Sequence, residues 1–278
     1  MRVIFWIYIL FGSLSFAKES NGFDWIKSLP KPWELTEKDF SSFLPMFRER
    51  FPDFHDRIKA LNLWRIGTPY GIFKLGEEKE PDTDPILRID TSDCTVHVLT
   101  TLAFAQSTDW NSSRAAMIDI HYKVNQNGKK EPTFKSRWHY TSDRILNNPH
   151  TVNITPRLLS RSKLEEVTIE LNRKKDGLEF LDLDWTSSQN ILFIPSEMIE
   201  QINMQDLPLV CGIAFVKRSY FSMGIVIAHE GYLIDRKSLI HASSNEGKTV
   251  KVDFFDYYFK ESGPVFDGIM IYELHKKI

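Results

Sequence analysis

The sequence has few of the features that would assign it to a class quickly. Two cysteines in 278 residues, Cys94 and Cys211, are too few for a disulfide scaffold. A formal net charge of −2, with no Lys/Arg block, argues against a polyanion, so nucleic acid is not an expected partner. No His, Cys, Asp or Glu spacing matches a zinc or calcium site, so no metal or other cofactor is implied. No internal repeat, low-complexity tract or composition break divides the chain. Only one apolar run is long, and it lies at the start: Met1-Arg2 precedes an apolar stretch from Val3 to Phe16, which ends in Ser15-Phe16-Ala17 before the polar Lys18-Glu19-Ser20-Asn21. The run is short for a membrane span, and small residues occupy the positions a signal peptidase reads. We therefore expect a signal peptide over 1–17, export to the periplasm or medium, and no stable span after cleavage. Hydrophobic content of 42% and charged content of 26% then leave an ordinary globular chain.

The stretch with most chemical content is Arg88-Ile89-Asp90-Thr91-Ser92-Asp93-Cys94-Thr95-Val96-His97. Three potential N-caps precede an apolar run of helical length. Cys94 then falls in a first turn, where free N–H groups and the macrodipole favour an anion and lower a thiol's pKa. A buried structural cysteine is the competing reading. Cys211, inside Leu209-Val210-Cys211-Gly212-Ile213-Ala214-Phe215-Val216, reads as part of a buried strand and not as a disulfide partner.

Before this stretch, Thr36-Glu37-Lys38-Asp39 opens a helix expected to reach about Phe43. Asp53-Phe54-His55-Asp56 opens another, with Ile58, Leu61 and Trp64 at helical spacing and His55 solvated. A charged loop from Lys74 to Asp84 leads to the cysteine. A helix over Asp109–Tyr122 follows it. From Thr151 the text turns to strands: Val152–Ile154, Val167–Leu171, Asn190–Ile194, Leu209–Val216, Met223–Ala228, Leu239–Ala242, Val250–Val252 and Gly268–Leu274. Short helices are expected from Pro195-Ser196 to about Ile202 and over Asp253–Phe259. Helices early and a strand meander late give an α+β domain with helices on one face of an antiparallel sheet.

A nucleophilic cysteine needs a base, usually histidine, and a group that orients it. Of eight histidines, His97 shares the helix of Cys94 and reads as packing, His139 lies in Arg137-Trp138-His139-Tyr140, and His229 and His241 lie in the strand-rich third. Several segments together resemble a known family. They are Gly67-Thr68-Pro69-Tyr70, Asp93-Cys94-Thr95, Arg137-Trp138-His139-Tyr140, and Met223-Gly224-Ile225-Val226 followed by His241-Ala242-Ser243-Ser244. They resemble the N-acetylmuramoyl-L-alanine amidase-like domains, related to the NlpC-type cell-wall cysteine hydrolases, over about residues 60–275. The resemblance implies a papain-like fold at 60–278 after a helical extension at 18–59. It also implies an amide substrate such as a peptidoglycan stem peptide. Cys94 would be the nucleophile. The base would be a histidine at the start of a strand reading His-x-Gly, oriented by His241. Tyr70, Asp93, Arg137 and Tyr140 would line the cleft, with Arg137 and Tyr140 holding a substrate carboxylate.

Two positions depart from the pattern. Matching x-Gly to Met223-Gly224 puts the base position on Ser222, which cannot accept a thiol proton near neutral pH. Leu99 stands where related sequences carry an acidic residue. Three readings stay open: His229 reaches the thiol from an irregular strand end, although regular alternation from Ser222 points it to the other face; His241 is itself the base, with Ser222 beside it; or the cleft binds a peptide or protein partner without turnover.

Overall fold

A computed structural model describes residues 23–72 and 82–276. The signal sequence expected over 1–17 and most of the charged loop at Lys74–Asp84 lie outside them. Among the described residues, no helix is long and apolar enough to cross a membrane.

A short helix α1 (23–27) leads to α2 (Glu37–Arg50) and α3 (Phe54–Trp64). Thr36 caps α2 by accepting the Asp39 N–H, and Asp53 caps α3 by accepting those of His55 and Asp56. Helix α2 outruns its expected end at Phe43 because packing overrides Pro45. Phe40 and Phe47, on either side of the proline, both stack on Trp64 of α3. His55 is not simply solvated; its Nε2 lies 3.1 Å from the Leu274 carbonyl oxygen. Helix α4 (Cys94–Gln106) is buried from Val96 through Ala105, as expected of a helix apolar all round at the centre of a domain. Leu99 belongs to this core, fully buried. Helices α5 (Trp110–His121) and α6 (Thr141–Asn147) complete this layer.

The strands are β1 (Thr151–Asn153), β2 (Glu165–Leu171), β3 (Ser187–Pro195), β4 (Val210–Val216), β5 (Ile227–Ile234), β6 (Ser238–Ser243) and β7 (Lys248–Asp253). A two-residue hairpin, β8 (Phe259–Lys260) with β9 (Gly263–Pro264), precedes β10 (Gly268–Leu274). Helix α7 (Thr155–Leu158) follows β1 and α8 (Phe254–Tyr258) follows β7. The main sheet runs β2-β3-β10-β4-β5-β6-β7, with β1 also beside β10, and every pairing is antiparallel. Helices α2 to α5 share one core with the sheet face that carries Ala214, Val216, Tyr232, Ile234 and Ile240. The other face is also covered: Cys211, Ile213, Phe215 and Leu233 pack under Ile199, Leu207, Phe254 and Tyr258. Every residue of β4 is therefore buried, in accord with its continuous apolar run.

One expected strand is displaced. Residues Arg218–Met223 form a 3₁₀ turn that ends on Gly224 in the left-handed region, at φ 71°. A β-carbon there would stand 2.6 Å from the Arg173 nitrogen, so only glycine lets the β2–β3 connection approach this closely. The strand proper begins at Ile227.

Candidate active site

Cys94 opens α4, and the structure puts the cap one residue earlier: Asp93 accepts the Val96 N–H at 2.8 Å. Its carboxylate is therefore committed to the helix end while also lining a cleft of about 560 Å³. Cys94, Tyr70, His139, Tyr140, His229 and His241 line the same cleft. Cys94 and Cys211 are free thiols, the first half-buried at the cleft and the second fully buried in the core.

The two cleft histidines are joined directly, with His229 Nε2 2.8 Å from His241 Nδ1. This contact engages His229 Nε2 and leaves Nδ1 as the ring nitrogen that His241 does not hold. His229 is in place because β5 is irregular at its start. Phe215 pairs with His229 but Val216 pairs with Ile227, so Ala228 is an extra residue. Ile227 accordingly packs toward the helix-side core, while His229, two residues on, stacks on Phe215 of the other face. His241 approaches from β6 because residue 231 has no side chain; a β-carbon on Gly231 would lie 2.9 Å from the His241 Cβ.

Ser222 does not occupy the base position. It is exposed in the 3₁₀ turn and does not itself line the cleft, although Tyr220 and Ile225 on either side of it do, and its carbonyl accepts the Lys175 N–H at 2.8 Å. The turn and the bulge together break the alternation that links Ser222 to the sheet. The segment that reads His-x-Gly at a strand start is His229-Glu230-Gly231. That triplet is legible in the sequence, but the apolar run after Met223-Gly224 imitates the same strand start.

Arg137 is not a cleft residue either. Its guanidinium grips the fully buried Asp84, with Nε 2.9 Å from Oδ2 and Nη2 paired to Oδ1. That fork is no longer available to a substrate carboxylate. Tyr140 does line the cleft, but its hydroxyl donates to Asn172 Oδ1 at 2.7 Å. The same Asn172 side chain bonds the Leu181 N–H and the Leu181 and Trp185 carbonyls, which fixes the β2–β3 connection that carries Phe180 and Leu181 into the cleft wall. His97 is packing, as read from the sequence: buried, with Nε2 2.8 Å from Asn62 Oδ1.

Behind the cysteine lie two buried cations. Arg144 of α6 pairs with Glu230 of β5, both essentially inaccessible to solvent. Arg65, at the end of α3, instead donates to the His97 carbonyl, Thr101 Oγ1 and Ser92 Oγ. Among the described residues no carboxylate pairs with it, and burial lowers its pKa to about 10.

The electrostatics correct one expectation. Burial first, then the Asp93 and Glu230 carboxylates, push the Cys94 thiol up to about 12; the Glu230 N–H and the Thr95 hydroxyl oppose them. The helix start does not outweigh desolvation. Burial, together with His241, takes His229 down to about 3, and burial takes His241 down to about 4. Near neutral pH the site holds a neutral thiol beside neutral imidazoles. Cys211 is also pushed up by burial to about 12. Selectivity between the thiols thus comes from access, not acidity. Iodoacetamide at neutral pH is expected to modify Cys94 and spare Cys211. The Cys94 rate should climb about tenfold per pH unit above pH 7, following the thiolate fraction. A rate already on a plateau at pH 6, measured by mass spectrometry of the labelled peptides, would show a preformed thiolate instead.

No functionally curated protein matches the chain. Among solved structures it resembles a Legionella pneumophila protein assigned to the family model DUF1460. That match has 22% identity and a TM-score of 0.66, over 85% of this chain and 94% of the other. It also resembles an N-acetylmuramoyl-L-alanine amidase from Bacteroides uniformis, at 17% identity and a TM-score of 0.58, over 80% and 99% of the two chains. A putative xylanase from Bacteroides fragilis matches at 21% identity and a TM-score of 0.58, over 77% and 99%. At these identities the likeness is one of fold: an antiparallel sheet with packed helices. The family model for AmiA-like, N-acetylmuramoyl-L-alanine amidase-like domains matches residues 63–264, spanning the cysteine helix, both cleft histidines and most of the sheet, and the chain belongs to that family.

Proposed function

We propose that the protein is an exported cysteine hydrolase that cleaves an amide bond in peptidoglycan, in or next to the stem peptide. The observation that carries this reading is the His229–His241 pair at 2.8 Å, facing the same cleft as Cys94. A thiol at a helix start, an imidazole on the adjacent sheet and an orienting group on the next strand resemble the papain-like NlpC-type arrangement.

In this reading His241 Nδ1 accepts the His229 Nε2–H, which fixes the tautomer with Nδ1 unprotonated. As Cys94 Sγ attacks the amide carbonyl, its proton passes to His229 Nδ1. The backbone N–H groups of Cys94 and Thr95, left unbonded by the first helical turn, face the developing oxyanion. Collapse of the tetrahedral intermediate breaks the C–N bond, and His229 returns the proton to the leaving amine. Water, deprotonated by His229, then hydrolyses the thioester and restores the thiol. Tyr70 and Tyr140 bound the cleft that holds the peptide. A serine at the base position would favour a partner-binding cleft without turnover; His229 beside His241 supports the hydrolase reading instead.

The test is hydrolysis of a muramyl-tripeptide followed by mass spectrometry, with Cys94→Ala as the control. Wild type should release an amine and a carboxylate fragment; Cys94→Ala should release none. Equal product from both proteins would exclude a Cys94 mechanism. Export rests on residues 1–17, and the secreted protein should begin near Lys18.

A further inference from the structure

Glu230 has no role in the proton transfers above, yet it is the residue between the histidine of the site and the glycine that admits His241. Its carboxylate is fully buried and receives four donors from three directions. Oε1 accepts Thr95 Oγ1 at 3.1 Å, from the first turn of the cysteine helix, and Thr141 Oγ1 at 3.2 Å, from the start of α6. Oε2 accepts Arg144 of α6 and the Tyr272 hydroxyl, the latter at 2.8 Å, from β10. Tyr272 can lie there because Gly212 opposite it is bare; a β-carbon on Gly212 would fall 2.0 Å from the Tyr272 ring. Thr95 Oγ1 in turn stands 4.0 Å from Cys94 Sγ.

We propose that Glu230 is the positioning residue of the site: its carboxylate, anchored by Arg144 and Tyr272, ties the first turn of the cysteine helix through Thr95 to the strand that carries His229. One residue thus fixes both ends of the nucleophile–base pair. The inference rests on Cys94 being the nucleophile. It also predicts an electrostatic effect, because the carboxylate is bonded to the residue next to the thiol. The other titratable groups around the cleft of that thiol are Asp93 at the cap of its helix, Tyr70 before it, His139 and Tyr140 ahead of α6, Lys217 and Tyr220 after β4, His229 and His241 from the sheet, and Tyr257 from α8. Arg144 and Tyr272 lie behind Glu230.

Two substitutions separate the tie from the charge. Thr95→Val removes the tie and leaves the ion pair. Glu230→Gln keeps an amide oxygen for both threonines and removes the charge. Cys94 alkylation by iodoacetamide needs no substrate and is read against pH in the full-length protein. Thr95→Val should slow it about tenfold, the order expected for one lost hydrogen bond near a charged group, and Thr95→Ser should restore it to within about twofold. Glu230→Gln should move the profile down by about one pH unit. If Glu230→Gln does not fold, Glu230→Gln with Arg144→Gln, which leaves no unpaired charge, should still shift the profile downward, by less because the Arg144 cation is lost too. Wild-type alkylation in Thr95→Val, or an unshifted profile in the foldable Glu230 variant, would overturn the proposal. If muramyl-tripeptide is never hydrolysed while Thr95→Val still slows alkylation, only the hydrolase reading fails.

Discussion

His229→Ala is expected to lower the turnover of a muramyl-peptide substrate by about 10²–10⁴-fold, the usual contribution of a positioned general base. The loss should fall on kcat, because in the proposed mechanism the imidazole handles the reacting proton and not the remote parts of the substrate. Cys94 should still alkylate in this variant at high pH, where hydroxide takes the thiol proton. His241→Ala should cost less, since it removes only the group that orients His229. Ser222→Ala should leave turnover within about twofold of wild type, because its side chain is in the exposed turn. Steady-state kinetics of the three variants test the assignment. The reverse order, with Ser222→Ala inactive and His229→Ala active, would return the base to the 218–224 turn.

The second large effect concerns stability. Arg144→Ala removes the counter-charge of a carboxylate that is itself fully buried. Breaking such a pair from one side typically costs about 3–5 kcal/mol, because the remaining charge is left in the interior. The melting temperature should fall by roughly 10 °C or more for a chain of this size. Arg144→Met combined with Glu230→Leu should recover much of the loss, since apolar replacements of a buried pair are often neutral. Thermal unfolding followed by circular dichroism distinguishes the outcomes. An unchanged midpoint for Arg144→Ala would mean that water reaches Glu230.

Much of this fold could be read from the sequence, for reasons that attach to particular residues. Asp93 and Asp53 are strong local caps, so α4 and α3 start where the sequence places them. Strand β10 runs from Gly268 to Leu274 as expected, and β4 matches its apolar run to within a residue. Cys94, Tyr70, Asp93, Tyr140, His229 and His241 do meet around one cleft. The errors lie where local signals conflict with geometry that only pairing supplies. Met223-Gly224-Ile225-Val226 is apolar enough for a strand, but Gly224 is required for a turn. The extra residue at Ala228 shifts the side-chain phase, so period-two reasoning carried through it gives the wrong face for His229. Arg137 looks like a free guanidinium because its partner, Asp84, is far away in sequence. Glu230 carries no local signal for a related reason: its four donors come from α4, α6 and β10, and no short window contains them.

Arg65 gives the site a mechanical property. Its guanidinium spans from Ser92, just before the cap, to the His97 carbonyl and Thr101 a turn or more along α4. It works as a key in a slot cut across the helix. An axial slide of α4 by one turn, about 5.4 Å, or a roll of its buried face would strand a cation far from water. The axial position of Cys94 is therefore indexed from behind, by a residue outside the reaction. Core substitutions along α4 should soften its packing well before they change the reach of the thiol.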